Sequence, residues 1–251
     1  MKQILLASLS VCAAVAQGLT EPPPLVLIHQ APGFVSVRPY TDARTSVDVV
    51  GMASITGPPT TWLLELHDSF SSIEDVDKSL RPLAPFAAVA GAEVSGADIL
   101  AGSRSLIGGY RPGLSYRPEQ ATTALRSARY CQASIYQVQP GGESEFAELV
   151  KSRRVVFDSI NLDRPDLAYH ILSGASSGTY VFLAPLVSLK VLDEALARAP
   201  AYAENTAAEA SKTTGLIRRY LLFRVEPTAS RVSDDFASAD PDFWRGAAQK
   251  P

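Results

Sequence analysis

The amino-acid sequence predicts an α+β protein made of two tandem ferredoxin-like β-α-β-β-α-β units, whose antiparallel sheets pack face to face as a pseudo-dimeric α/β barrel. Three observations support this prediction. Turn motifs recur in the same order at offsets between 108 and 117 residues. Strand and helix patterns follow the order of that unit. One strand also has a polar face that needs a partner, because both helices of such a unit lie on the other side of the sheet.

The first 16 residues are predicted to be a cleavable signal peptide. Lys2 is the only charged residue before Glu21, residues 4–16 are apolar or small, and alanines at 14 and 16 suit a signal peptidase. This apolar run is shorter than the roughly 20 residues that a membrane-spanning helix needs. We therefore expect an exported protein, periplasmic or secreted, without a membrane span. The alternative is a frayed N-terminal helix of a cytosolic protein.

Cleavage would remove one of the two cysteines, Cys12, and leave Cys131 alone. The mature chain could then form no internal disulfide, so its core must hold it together. A lipoprotein modified at Cys12 is an alternative. The net charge of −3 becomes −4 when Lys2 leaves, and no basic run exceeds two residues. A nucleic-acid partner is therefore not expected, and the two units suggest a monomer with an intramolecular pseudo-dimer.

Three pairs of turn motifs mark the repeat. They place the first unit at residues 22–118, the second at 127–229, and a C-terminal docking tail at 230–251. The matched motifs are Pro32-Gly33 with Pro140-Gly141, Gly57 with Gly174, and the segment 112–115 with 227–230.

The second unit has the clearer secondary-structure pattern. Alternation and turn residues predict strands, and apolar residues at helical spacing predict helices. The predicted strands cover residues 130–138, 167–173, 179–184 and 220–225, and the predicted helices cover 143–160, 188–199 and 202–212.

The first unit repeats this order with a shortened first helix. Its strands are predicted at residues 25–29, 47–55, 62–66 and 104–110. Residues 34–44 can form only a short, irregular helix, because Pro39 interrupts them.

The strand at 130–138 has two different faces. Cys131, Ala133 and Ile135 are small or apolar, and we expect them to pack beneath helices. The opposite face should meet the other unit and line a space for a small apolar or aromatic ligand. The predicted ligand-binding residues are Tyr130, Gln132, Ser134, Tyr136, Tyr169 and Tyr180. An ordinary hydrogen-bonded interface between the two units is the alternative.

Several segments resemble a known superfamily. They are residues 110–116, 178–180, 188–189 and 240–245. The chain resembles the dimeric α/β barrel superfamily, which includes NIPSNAP-like proteins, and within it a group of uncharacterised exported bacterial proteins. The resemblance covers most of the mature chain, and the shortened first helix departs from it. It implies that the protein is a cofactor-free oxygenase, a haem-binding enzyme, an isomerase or a protein without catalysis.

Few residues suggest chemistry. His170 could act as a base or, through the resemblance, bind a haem iron, and Arg111 could bind an anion. The alternative for His170 is a histidine that is only hydrogen-bonded within the sheet. The alternative for Arg111 is that its segment holds the link between the two units in place. Apart from that haem alternative, no cofactor is predicted.

Glu65 and His67 share a strand face and could form an acid–base pair. His29 should lie at the opposite edge of the sheet, roughly 12–17 Å from His67 at ~3.3 Å per residue. A solvated strand edge is therefore the simpler interpretation, and no metal site is predicted.

Three functions follow as hypotheses. The first is an exported protein that binds a small apolar or aromatic ligand between its sheets. The second is a dimeric α/β barrel enzyme, haem-linked or a cofactor-free oxygenase or isomerase, that uses His170 or Arg111. The third is a structural or interaction protein acting through Phe243 and Trp244 of the tail. Arg153, on the apolar side of its helix, is expected to snorkel over the helix edge, and Cys131 should be buried and inert.

Overall fold

The computed structural model describes residues 21–33, 46–80, 104–198 and 217–246. Eight strands close into one antiparallel barrel, in the order β1-β3-β2-β8-β5-β7-β6-β4. The strands are β1 (Leu25–Pro32), β2 (Asp48–Ser54), β3 (Thr60–His67), β4 (Arg104–Tyr110), β5 (Tyr130–Gln137), β6 (Leu167–Ser173), β7 (Thr179–Leu186) and β8 (Ile217–Val225).

The two halves of the barrel use the same strand order. It is β4-β1-β3-β2 in the first half and β8-β5-β7-β6 in the second. The halves join where Met52–Ser54 of β2 pair with β8, and where β4 pairs with β6. The antiparallel α+β barrel agrees with the prediction. The two separate sheets packed face to face do not, because the edge strands of the halves pair and close a single sheet.

Helices cover the outside and one end of this barrel. They are α1 (Phe70–Leu80), α2 (Pro118–Leu125), α3 (Glu143–Ser159), α4 (Lys190–Arg198), α5 (Asp234–Ala237) and α6 (Pro241–Gly246). The sequence patterns missed α2, α5 and α6. The predicted signal peptide and the helices at 34–44 and 202–212 lie outside the described residues. Within the described ranges, no helix is long and apolar enough to cross a membrane.

The repeated turn motifs occupy equivalent positions. Gly57 joins β2 to β3 and Gly174 joins β6 to β7, both at positive φ. A short 3-10 helix follows the last strand of each half, at Pro112–Leu114 and at Pro227–Ala229.

The serine after each 3-10 helix makes the same pair of hydrogen bonds. Ser115 Oγ donates to the Arg111 carbonyl and accepts from the Ala168 amide of β6. Ser230 Oγ donates to the Glu226 carbonyl and accepts from the Gly51 amide of β2. The same device therefore ties the end of each half to the second strand of the other half.

The interior of the barrel is packed with apolar side chains. Trp62 and Phe223 meet with ring centroids 4.7 Å apart, and Tyr169 lies in the same cluster. Cys131 and Ala133 of β5 face this interior, not the helices. The predicted orientation of β5 was therefore reversed. The interior of an eight-stranded barrel is just wide enough for side chains, and large rings from other strands already fill this one. The inward side chains of β5 are therefore small.

The outward face of β5 carries the polar and aromatic residues. Tyr136 packs against Phe146 of α3, with ring centroids 5.3 Å apart, and against Phe182 of β7 at 5.2 Å. Alternation along the strand places Tyr130, Gln132 and Ser134 on the same outward face. The expectation that this face lines a space between two sheets was wrong, because the face points away from the barrel interior and Tyr136 packs against α3.

One end of the barrel is closed by the C-terminal residues and α2. Phe236 and Trp244 are buried in the same cluster as the barrel interior. Trp244 Nε1 donates to the Arg126 carbonyl at 2.7 Å. Arg129 pairs with Asp240 at 2.5 Å. Residues 230–246 are thus part of the folded protein and close one end of the barrel.

Candidate active site: a buried glutamate between two histidines

Strands β1 and β3 place three ionisable side chains on one outward face. In the antiparallel register His29 lies opposite Leu63, Leu27 opposite Glu65, and Leu25 opposite His67. Glu65 therefore stands midway between the two histidines along the strand pair. Because side chains alternate between the two faces of a strand, His29, Glu65 and His67 all face outward.

The three side chains form one buried cluster. His29 Nε2 lies 3.2 Å from Glu65 Oε1, and His67 Nε2 lies 3.1 Å from Glu65 Oε2. Glu65 and His67 have no exposed surface, and His29 is 6% exposed. A carboxylate can be buried in this way only when its oxygens are hydrogen-bonded or paired with charge, and the two imidazoles meet that need.

A serine hydroxyl completes the cluster at each end. Ser105 Oγ lies 2.7 Å from His29 Nδ1, and Ser72 Oγ lies 2.9 Å from His67 Nδ1. Ser105 is on β4, directly opposite His29 across the β1–β4 pair. Ser72 lies in the first turn of α1, where its amide donates to Ser69 Oγ at 3.2 Å. Ser105 is exposed, whereas Ser72 is half-buried.

Hydrogen-bond chemistry sets the direction of this chain. Each Nε2 faces a carboxylate oxygen, so in the neutral ring that nitrogen carries the proton. Nδ1 of each ring is then the acceptor, and each serine hydroxyl donates to it. The arrangement is a continuous chain, Ser105–His29–Glu65–His67–Ser72, which ends in two hydroxyl groups. It can hold a proton at either imidazole beside the Glu65 carboxylate.

The expectation of a solvated strand edge for Glu65 and His67 was wrong. The register does separate the histidine backbones, but Glu65 lies between them and contacts both rings. The β1–β3 register, in which His29 lies opposite Leu63, puts all three side chains on one face, and residue numbering alone does not show it. Among the described residues, no group of three potential metal ligands is arranged to hold a metal ion.

The two predicted catalytic candidates lie elsewhere, close to each other. His170 is on the outward face of β6, where its ring stacks on Tyr180 at 4.7 Å. Burial and the nearby Arg111 charge lower the pKa of His170. Arg111 is exposed at the end of β4. His170 therefore favours its neutral form beside a cation.

The His170 ring lies against a packed aromatic cluster. One face of the His170 ring is covered by Tyr180, whose own ring meets Phe146 at 4.8 Å. Tyr180 is 6% exposed and belongs to the packed cluster beneath α3. Haem ligation uses a ring nitrogen at the edge of the imidazole, which this stacking does not cover, so haem binding by His170 stays a prediction.

The six predicted ligand-binding residues do not share one site. Tyr130, Gln132, Ser134, Tyr136 and Tyr180 face outward, whereas Tyr169 faces the barrel interior. The Tyr169 hydroxyl donates to the Pro23 carbonyl at 3.3 Å, and burial raises its pKa. Tyr169 is thus a hydrogen-bonded core residue.

Comparison with known proteins gives the fold and no family. No family model matches the chain, and no curated protein sequence matches it. Among solved structures, an anthrone oxidase-like protein is similar with a TM-score of 0.52 and 10% identity, over 86% of this chain and 95% of that one. Chlorite dismutase from Candidatus Nitrospira defluvii has a TM-score of 0.49 and 10% identity, over 88% of this chain and 97% of that one. The chain therefore shares the overall fold of the anthrone oxidase-like protein.

Proposed function

We propose that this protein is a small-molecule enzyme of the dimeric α/β barrel class that transfers protons through the Ser105–His29–Glu65 chain. The observation that carries the proposal is the fully buried Glu65 carboxylate, held between two histidines whose other nitrogens contact hydroxyl groups. A carboxylate next to an imidazole favours the protonated ring by charge pairing.

The chemistry assigns a role to each group. Ser105 Oγ, at the exposed end, contacts the substrate and takes its proton as the serine proton passes to His29 Nδ1. Glu65 keeps His29 in the required tautomer and stabilises the imidazolium that forms. His67 and Ser72 hold the second carboxylate oxygen, so that Glu65 stays aligned with His29. Such positioned acid–base groups contribute about 10²–10⁴-fold to rates.

The substrate class that suits this chain is a weakly acidic aromatic molecule, such as an enolisable ketone or a phenol. The similar fold of the anthrone oxidase-like protein supports testing an anthrone first, because anthrone is an enolisable aromatic ketone. Proton removal from its methylene carbon gives a delocalised anion, and this first step needs no other reactant.

Deuterium exchange into anthrone tests the proposal directly. We expect the purified protein to accelerate exchange at the methylene group, followed by NMR. Glu65→Gln should lower the rate about 100-fold, because the amide stabilises the His29 imidazolium poorly. Ser105→Ala should lower the rate by a similar factor.

Ser173→Ala provides the matched control. Ser173 is an exposed serine on β6, which pairs with β4, and its removal should leave the exchange rate unchanged. Exchange by the wild-type protein that is no faster than in buffer, or equal rates for wild type and Glu65→Gln, would contradict proton transfer by this chain.

We also propose that the protein is exported, and that its halves are tandem ferredoxin-like units. The equivalent turns and the paired Ser115 and Ser230 contacts support the duplication. Residues 1–16 support export. When the full chain is expressed in a bacterium, we expect the mature protein outside the cytoplasm to begin at Gln17. Intact mass measurement checks this, and an uncut cytoplasmic product would contradict it.

A further inference from the structure

Ser105, His29 and Glu65 stand in the order of a serine–histidine–acid triad. The hydroxyl contacts the ring nitrogen at 2.7 Å, and the other ring nitrogen contacts the carboxylate at 3.2 Å. We propose a second activity for this site: Ser105 Oγ is a nucleophile that accepts the acyl group of activated esters. This inference rests on the proposed function in one respect, since both use His29 as the base.

Exposure distinguishes Ser105 from the serine at the other end of the chain. Ser105 is exposed, whereas Ser72 is half-buried and its partner His67 has no exposed surface. A nucleophile must reach a substrate, while its base and acid are best shielded from water. The arm that contains Ser105 has this gradient, with His29 6% exposed and Glu65 at zero.

The backbone around Ser105 has a close neighbour on each side. β4 pairs with β1 on one side, which sets Ser105 opposite His29. On the other side Gly174 approaches the Ser105 carbonyl so closely that a Cβ at position 174 would collide with it. Gly174 also has φ +88°, a conformation that suits glycine. A nucleophile and base fixed on neighbouring strands lose little entropy on reaching the reactive geometry.

The acyl-transfer step balances within the site. Ser105 Oγ forms a bond to the ester carbonyl carbon while its proton moves to His29 Nδ1. The bond to the ester oxygen breaks, and the leaving alcohol or phenol takes that proton. Water then attacks the acyl-serine by the same route, with His29 again accepting and returning a proton. The net reaction converts an ester and water into an acid and an alcohol or phenol.

Fluorophosphonate labelling tests the nucleophile, and hydrolysis of p-nitrophenyl acetate tests turnover. We expect the wild-type protein to be labelled on the peptide that contains Ser105, as seen by mass spectrometry. Ser105→Ala should lose the label and the ester hydrolysis. His29→Asn should react about 100-fold more slowly, and Ser173→Ala, the exposed serine on the neighbouring strand, should react like wild type.

A second variant guards against a folding defect. Ser105→Cys should be alkylated by iodoacetamide, and adding His29→Asn should slow that alkylation at least tenfold, because the thiol then lacks the base that converts it to a thiolate. An unlabelled wild-type protein, or labelling that is unaffected by His29→Asn, would overturn the nucleophile. Anthrone exchange without labelling leaves the proposed function intact and removes this inference. Labelling without anthrone exchange supports the nucleophile and contradicts the proposed function.

Discussion

Replacing Arg153 with Met should lower the free energy of unfolding at pH 7 by about 3–5 kcal/mol, the cost of breaking a buried ion pair by removing one partner. Arg153 Nη2 lies 2.8 Å from Asp166 Oδ2, and these side chains are 11% and 1% exposed. Its guanidinium also lies 4.7 Å from the Phe182 ring centroid. The variant leaves Asp166 buried without this guanidinium.

The loss should depend on pH in a defined direction. Burial raises the pKa of Asp166 even though Arg153, Arg164 and Arg154 oppose it. A carboxyl whose pKa is raised by folding favours the folded state at low pH, and that contribution is lost as the pH rises through the folded pKa. Without Arg153 the pKa rises further, so the variant should be penalised more at pH 7.5 than at pH 5.

Urea unfolding at both pH values measures this effect. Lys151→Met on the same helix is the matched control, because that side chain is 62% exposed and pairs only at the surface with Glu148. It should change stability by at most about 0.5 kcal/mol. A loss for Arg153→Met that is equal at pH 5 and pH 7.5 would argue against a charged Asp166 as its cause.

Arg153 also illustrates what helical periodicity can predict. The pattern placed it on the apolar side of its helix, and the structure agrees. The expected snorkelling to the helix edge was wrong, because the partner, Asp166, lies on the segment that leads into β6. A periodic pattern gives the direction of a side chain, but its contacts depend on which other element packs there.

The strands were predictable for a similar reason. The patterns at 104–110 and 167–173 gave the observed bounds of β4 and β6, since alternation and turn residues are local signals. The inward face of β5 was not predictable, because Cys131 and Ala133 are small enough for either surface. Only the volume already filled by Trp62, Phe223 and Tyr169 decides it.

The candidate site also depends on contacts between distant elements, which local sequence patterns do not give. Glu65 and His67 were recognised as sharing a face, while Ser105 and Ser72 carried no signal. Their roles follow from the pairing of β4 with β1 and from the start of α1, which are long-range features. His29 was placed at the correct position on its strand. What was missed is that a carboxylate between two rings can bridge the four-residue offset between them.

Replacing Trp244 with Ala should lower the free energy of unfolding by about 3–5 kcal/mol, the range for removing a large buried side chain. Its ring is 6% exposed, packs on Phe236 at 5.4 Å, and donates a hydrogen bond to the Arg126 carbonyl. Trp244→Phe keeps most of the packing and should cost less, chiefly the lost hydrogen bond of about 1 kcal/mol.

Phe70→Ala is the control for this comparison, since Phe70 is 58% exposed and its removal should have little effect. Urea unfolding followed by circular dichroism compares the three variants.

The result also separates the two roles considered for the C-terminal residues. A residue that closes the barrel end must destabilise the fold when it is truncated, because its loss leaves a cavity continuous with the core. If Trp244 served only to bind a partner, its truncation would weaken that binding and leave the stability of the protein unchanged. An unchanged unfolding curve for Trp244→Ala would therefore favour the partner-binding role. The burial of Trp244 against Arg126 and Phe236 favours closure of the barrel end.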